Sequence, residues 1–170
     1  MKYEHKLIIR VILLLAIPYF VFYPIFTPLT IYPSYLILKL AGFNPILLSS
    51  TKILLSNITL NFIPACIAAS AYYLLYLLIL LTKDLTLLKS IKLFIYGSLL
   101  ILIMNIFRIY TVVFILLNYS KNYFDAIHLT FWTIFSSIYV ALVWVFLTKK
   151  LKIKTIPFYS DAKYLYKKLK

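Results

Sequence analysis

The sequence predicts an all-α membrane protein: a bundle of about four transmembrane helices, with an external segment between the first two. Three observations carry this. The 170 residues are 64% hydrophobic and 13% charged, with a mean hydropathy of +0.98. Soluble domains carry roughly 25% charged residues, about twice as many. The apolar residues fall in long runs, and about 20 of them suffice to cross the hydrocarbon of a bilayer. Finally, 18 Lys and Arg stand against 4 Asp and Glu, a net charge of +14. Most of these basic residues cluster at Lys2–Arg10, at Lys83–Lys92 and from Lys149 to the end. Basic clusters separated by apolar spans follow the positive-inside pattern. In a soluble chain the same charge would suggest nucleic acid, but interleaving with membrane spans excludes that partner class. No polar linker is long enough to separate two domains, so residues 1–170 are read as one membrane domain.

Taken in order, Leu7–Phe26 is the first expected span, its amino end cytoplasmic because Lys2, Lys6 and Arg10 precede or open it. No small-residue cleavage site follows it, which argues against a signal peptide. Pro18 and Pro24 are expected to kink it or end it early. Residues 27–63 are expected outside. Ile31–Leu40 is apolar but short and interrupted by Lys39, as in an interfacial or re-entrant piece. Gly42-Phe43-Asn44-Pro45 reads as a turn. Ile58, Leu60 and Phe62 alternate with Asn57, Thr59 and Asn61, the period of a strand with one polar face. Ile53–Leu55 pairs back onto it through Ser56-Asn57 as a short hairpin.

The second span is Cys66–Leu81, opened by Pro64, a good first-turn residue. A basic loop, Thr82–Lys92, leads to the third span, Leu93–Leu117. Asn118–Ile127 is a polar loop before the fourth span, His128–Thr148, with Trp132 and Trp144 as interfacial anchors. The tail, 149–170, is basic and expected to lie on the anionic cytoplasmic leaflet. The amino end, the 82–92 loop and the tail are all basic. All three are therefore cytoplasmic only if the crossings before the loop, and again before the tail, are even in number. Four spans satisfy this.

Chemistry-bearing residues are few. Arg108 is the only formal charge in Leu93–Leu117, and an Arg in a membrane helix costs about 2.5–3.5 kcal/mol or more. Two readings are open: a functional cation, or a side chain that snorkels to the headgroups and does no chemistry. Asn105 lies three residues earlier, on the same helical face. Cys66, the single cysteine, stands at the expected outer end of its span, and His128 at the outer end of the last. His5, the other histidine, is cytoplasmic in this topology. His128 is thus the available base for a Cys66 thiolate, and Arg108, which stays protonated, could hold an oxyanion or substrate carbonyl. Asp125 could orient His128. The plain alternatives are a packing cysteine, an interfacial histidine and a helix-capping aspartate. Asp125 is the one acidic residue expected outside, so neither a metal nor a cofactor is expected.

With these residues in view, the chain resembles the exosortase/archaeosortase family. Phe62-Ile63-Pro64-Ala65-Cys66, Asn105-Ile106-Phe107-Arg108 and Asp125-Ala126-Ile127-His128 look like its three active-site blocks, over about Leu60–Leu147. The resemblance implies a multi-spanning cysteine protease or transpeptidase facing the extracellular side. Its partners would be exported proteins with a carboxy-terminal motif, transmembrane helix and basic end, and a membrane lipid is a possible acceptor. It implies Cys66 as nucleophile, Arg108 as stabiliser of the oxyanion or substrate, and His128 as base. Many members place a small polar residue and then Gly after the Cys, where this chain has Ile67-Ala68. The chain's short length fits the smaller archaeal forms. The alternative is a non-catalytic polytopic protein, a chaperone or assembly partner. A glycan or lipid transferase would usually show acidic metal ligands.

Overall fold

A helix satisfies the hydrogen bonds of its backbone locally, which suits long apolar runs. The computed structural model, which describes residues 3–82, 85–119, 121–153, 157 and 166, is mostly helical, with one small antiparallel sheet. Lys2, Lys83, Ser120 and most of the basic tail beyond 153 lie outside the described residues, as does the side chain of Trp132.

The first helix departs from expectation. Helix α1, Tyr3–Ala16, stops before Pro18, and after one 3-10 turn, Tyr19–Val21, helix α2 runs over Phe22–Leu40. The helical stretch Tyr19–Leu40 is long and apolar enough to cross a membrane. Residues 27–40 are therefore part of a long apolar helix, which does not end at Phe26. Pro24 sits in the first turns of α2, where a missing N–H costs little. Pro28 and Pro33 lie inside it, and the Thr27 hydroxyl donates to the Tyr23 carbonyl at 2.6 Å.

Gly42 and Asn44 turn the chain at positive φ, 83° and 46°, as the Gly-Phe-Asn-Pro run predicts. Three strands follow: β1 Ile46–Ser49, β2 Lys52–Leu55 and β3 Ile58–Asn61, in the order β1-β2-β3. The β2–β3 hairpin has the expected residues, pairing Leu55 with Ile58 and Lys52 with Asn61. β1 was not expected. Ile53 and Leu55 are buried, together with Phe62, and hold one face of the sheet on the helices.

Pro64–Ile67 forms a short helix, α3, and Ala69–Leu80 forms α4. Helix α5, Leu87–Asn118, has 32 residues and is the second helix long and apolar enough to cross a membrane. It starts six residues before the expected span, capped by the Thr86 hydroxyl. The polar loop expected at 118–127 is largely helix: α6, Lys121–Thr130, passes through a π-type turn, Phe131–Phe135, into α7, Ser136–Lys150. The Ser136 hydroxyl donates to the Phe131 carbonyl across that turn.

Ring contacts set the directions. Phe22 meets Phe94 and Phe43 meets Tyr110, so α2 runs parallel to α5. Phe22 also meets Tyr73 and Tyr76, and Phe26 stacks on Tyr72, so α4 runs the opposite way. The Tyr139 hydroxyl bonds the Leu100 carbonyl, while a Cβ on Gly97 would stand 2.6 Å from Leu75 and 3.4 Å from Leu147. Those contacts bring α4, α5 and α7 together around Gly97, and α7 returns antiparallel to α5. α1 lies along the end of α4, with Arg10 donating to the Leu80 carbonyl and the Tyr76 hydroxyl to that of Leu13. Trp144 is half-buried against the core, its Nε1 without a hydrogen-bond partner among the described residues. The outer surface is apolar: Leu15, Phe20, Leu36, Ile95, Phe107 and Leu142 are all more than half exposed. An apolar surface this continuous marks contact with lipid or protein.

Candidate functional site

The site begins with a turn that cannot continue. Pro64 opens α3, but Ala68 takes the left-handed conformation, φ 61° and ψ 35°, and α4 starts afresh at Ala69. A left-handed non-glycine residue costs roughly 1–2 kcal/mol. The break interrupts the backbone ladder beside Cys66, and side chains of α5 supply the donors. Asn105 Nδ2 donates to the Cys66 carbonyl at 2.9 Å. Arg108 Nη2 donates to the same carbonyl at 3.1 Å and to that of Ala65 at 2.9 Å. Both side chains are buried, Asn105 to 4% exposure and Arg108 to 7%. The guanidinium is thus drawn inward and does not snorkel. Its remaining N–H groups make no hydrogen bond among the described residues, so a group with five donors keeps capacity for a ligand.

Cys66 is half-buried, and Arg108 lies within electrostatic reach of both its thiol and the His128 imidazole. Cys66, Arg108 and His128 all line one cavity of about 400 Å³. Its walls are Ile58–Ile63 on one side and, on the other, α5 from Ile109 to Leu116 with Phe124 and His128 of α6. The volume falls within the range of ligand pockets, roughly 300–1,000 Å³. His128 is half-buried and stacked on Phe124, ring centroids 5.5 Å apart and planes 18° apart. Asp125 is exposed in the middle of α6, neither capping it nor hydrogen-bonded to the imidazole.

Two residues of this neighbourhood have no signal in the sequence. Tyr72 is wholly buried, its ring 3.6 Å from that of Phe26 and nearly parallel to it, its hydroxyl without a partner among the described residues and within electrostatic reach of Arg108. The Tyr23 hydroxyl donates to the Phe62 carbonyl at 2.9 Å and pins the segment that leads into Pro64. One is a tyrosine in an apolar run and the other stands 39 positions from its partner, so neither announces itself. No protein-family model matches this chain, and no curated protein or solved structure is significantly similar to it.

Proposed function

We propose that this chain is a membrane-embedded cysteine protease or transpeptidase, of the kind its resemblance to the exosortase/archaeosortase family implies. It acts on exported proteins that end in a motif, a transmembrane helix and a basic segment. The observation that carries this reading is the shared cavity: the only cysteine, the buried arginine and the histidine line one space. The topology that goes with it has four crossings. The broken pair α1–α2 rises together, the sheet lies outside, α4 descends, α5 rises and α6–α7 descends. Both termini are then cytoplasmic.

In the proposed reaction His128 takes the Cys66 thiol proton and the thiolate attacks the carbonyl carbon of the scissile peptide. Arg108 donates to the developing oxyanion. The C–N bond breaks, the departing amine takes the proton from the imidazolium, and an acyl thioester remains on Cys66. A lipid hydroxyl, an amine or water then attacks the thioester. His128 takes that nucleophile's proton and returns one to the thiolate. Asn105 and Arg108 hold the Ala65 and Cys66 carbonyls and so fix the turn that carries the thiol.

A second reading rests on those same hydrogen bonds. A clamp from Asn105 and Arg108 onto two backbone carbonyls is also what a non-catalytic chaperone would need to brace a broken helix. Co-expression with an exported protein carrying such a tail separates the two readings. Cys66→Ala should abolish the mobility shift of the substrate while the protein remains inserted, and Cys66→Ser should be nearly as inactive. Wild-type processing by Cys66→Ala would remove the cysteine mechanism and favour the clamp.

A further inference from the structure

β3 is one of the two edge strands of the sheet, and among the described residues nothing pairs with its second edge. Ile58, Thr59, Leu60, Asn61, Phe62 and Ile63 all line the cavity. A strand that offers a face contributes alternate residues, because side chains point to opposite sides with period two. All four consecutive residues of β3, together with the two that follow it, mean that the strand presents its backbone edge. The hydrogen bonds fix which groups that edge holds. Phe62 N–H donates to the Thr51 carbonyl at 2.9 Å, and Asn61 stands opposite Lys52. In an antiparallel pair the residues exchanging bonds alternate with those that do not. Leu60 and Ile58 therefore direct their N–H and C=O toward β2, while Thr59 and Asn61 direct theirs toward the cavity. Two residues past Asn61, Ile63 caps the turn that carries Cys66.

An unpaired edge of this kind is a template for another strand. Most exposed edges are managed by charge, proline or a cover. β1, the opposite edge, has a bulge at Leu48, but β3 has none of these. From this placement we propose that β3 is the substrate-docking strand. An extended segment of the substrate, adjoining the scissile bond, pairs with the backbone of Thr59 and Asn61 and so brings its carbonyl to Cys66. The proposal rests on the cysteine-peptidase reading and adds the mode of recognition. Main-chain pairing supplies affinity independent of sequence, and pockets for alternate side chains supply selection. The apolar opposite wall, with Val112, Val113 and Leu116, suits small or apolar side chains on the substrate's inward face.

The test uses the full-length protein carrying Cys66→Ala, so that binding is read without turnover. The probe is a synthetic peptide copying the motif region of an exported protein tail from the same organism. N-methylation of peptide amides, one position at a time, should weaken binding at alternate positions only. Each lost backbone hydrogen bond is worth about 0.5–1.5 kcal/mol, so each sensitive position should weaken binding about two- to tenfold. Thr59→Pro and Asn61→Pro remove an outward N–H while leaving the β2 pairing intact, and should weaken the unmodified peptide similarly. Leu48→Pro, at the bulge of the far strand, should leave binding and wild-type processing unchanged. Uniform tolerance of N-methylation with retained binding would overturn edge pairing while leaving the cysteine mechanism to stand on processing by the wild type. Absence of any binding of the tail peptide to Cys66→Ala would overturn both.

Discussion

At the scale of single residues, the site is defined by what its backbone cannot do alone. Ala68 stands two positions after Cys66 in a conformation that glycine enters freely and other residues do not. Ala68→Gly should therefore raise the melting temperature in detergent, with a gain of up to about 1 kcal/mol once glycine's greater unfolded-state freedom is subtracted. Ala68→Val should lower it and reduce processing, since a β-branched residue fits that conformation worse. Arg108→Lys should abolish processing despite the retained charge, because an ammonium cannot reach two carbonyls and a developing oxyanion in one plane. A variant processing at the wild-type rate would show that charge alone suffices. His128→Ala should slow the reaction by about 10²- to 10⁴-fold, the usual contribution of a positioned base. A side chain stacked on Phe124 for packing alone would leave the rate unchanged while shifting the melting temperature.

At the scale of elements, Gly97 marks a close contact between α4, α5 and α7. Leu75, against which any side chain there would press, is itself fully buried. Gly97→Val should destabilise the protein by about 2 kcal/mol, measured by thermal unfolding in detergent; an unchanged midpoint would mean that the helices are free to separate. The elements also differ in how legible they are in the sequence. The hairpin is legible because Asn57–Phe62 alternates and Ser56-Asn57 turns. β1 is not, because Ile46-Leu47-Leu48 is a short apolar run with no period of its own, and its pairing to β2 is a tertiary fact. α2 is masked by Pro24, Pro28 and Pro33, each a breaking signal in water, whereas in an apolar setting a helix has few alternatives. Asn105 and Arg108 are legible as one face of one helix. Their attachment to the Ala65 and Cys66 carbonyls depends on the break at Ala68, which no residue type there advertises. Likewise the docking edge of β3 is invisible in sequence, because hydrogen-bond direction follows from register rather than from side chains.

At the scale of the whole molecule, α1 and α2 advance in the same direction before the sheet, so in the proposed topology they count as one crossing and keep the parity of the basic clusters. Reporter fusions within residues 85–89 and at the carboxy end should read cytoplasmic, and a fusion at Ser49 external; a cytoplasmic signal at Ser49 would refute the arrangement. One element remains out of scale with its neighbours. α4 has 12 residues, about 18 Å, and packs against α5 with 32, about 48 Å. A bilayer core is about 30 Å thick. Hydrophobic mismatch of this size is met by tilt of the long helix and by local thinning beside the short one. In the proposed topology, thinning would draw headgroups and water down toward the start of α4, where the cysteine turn sits, and make the depth of the thiol below the membrane surface depend on acyl-chain length. Reconstituted in short-chain lecithins, the protein should process its substrate faster than in long-chain ones, making the thickness of the surrounding lipid a setting on the reaction.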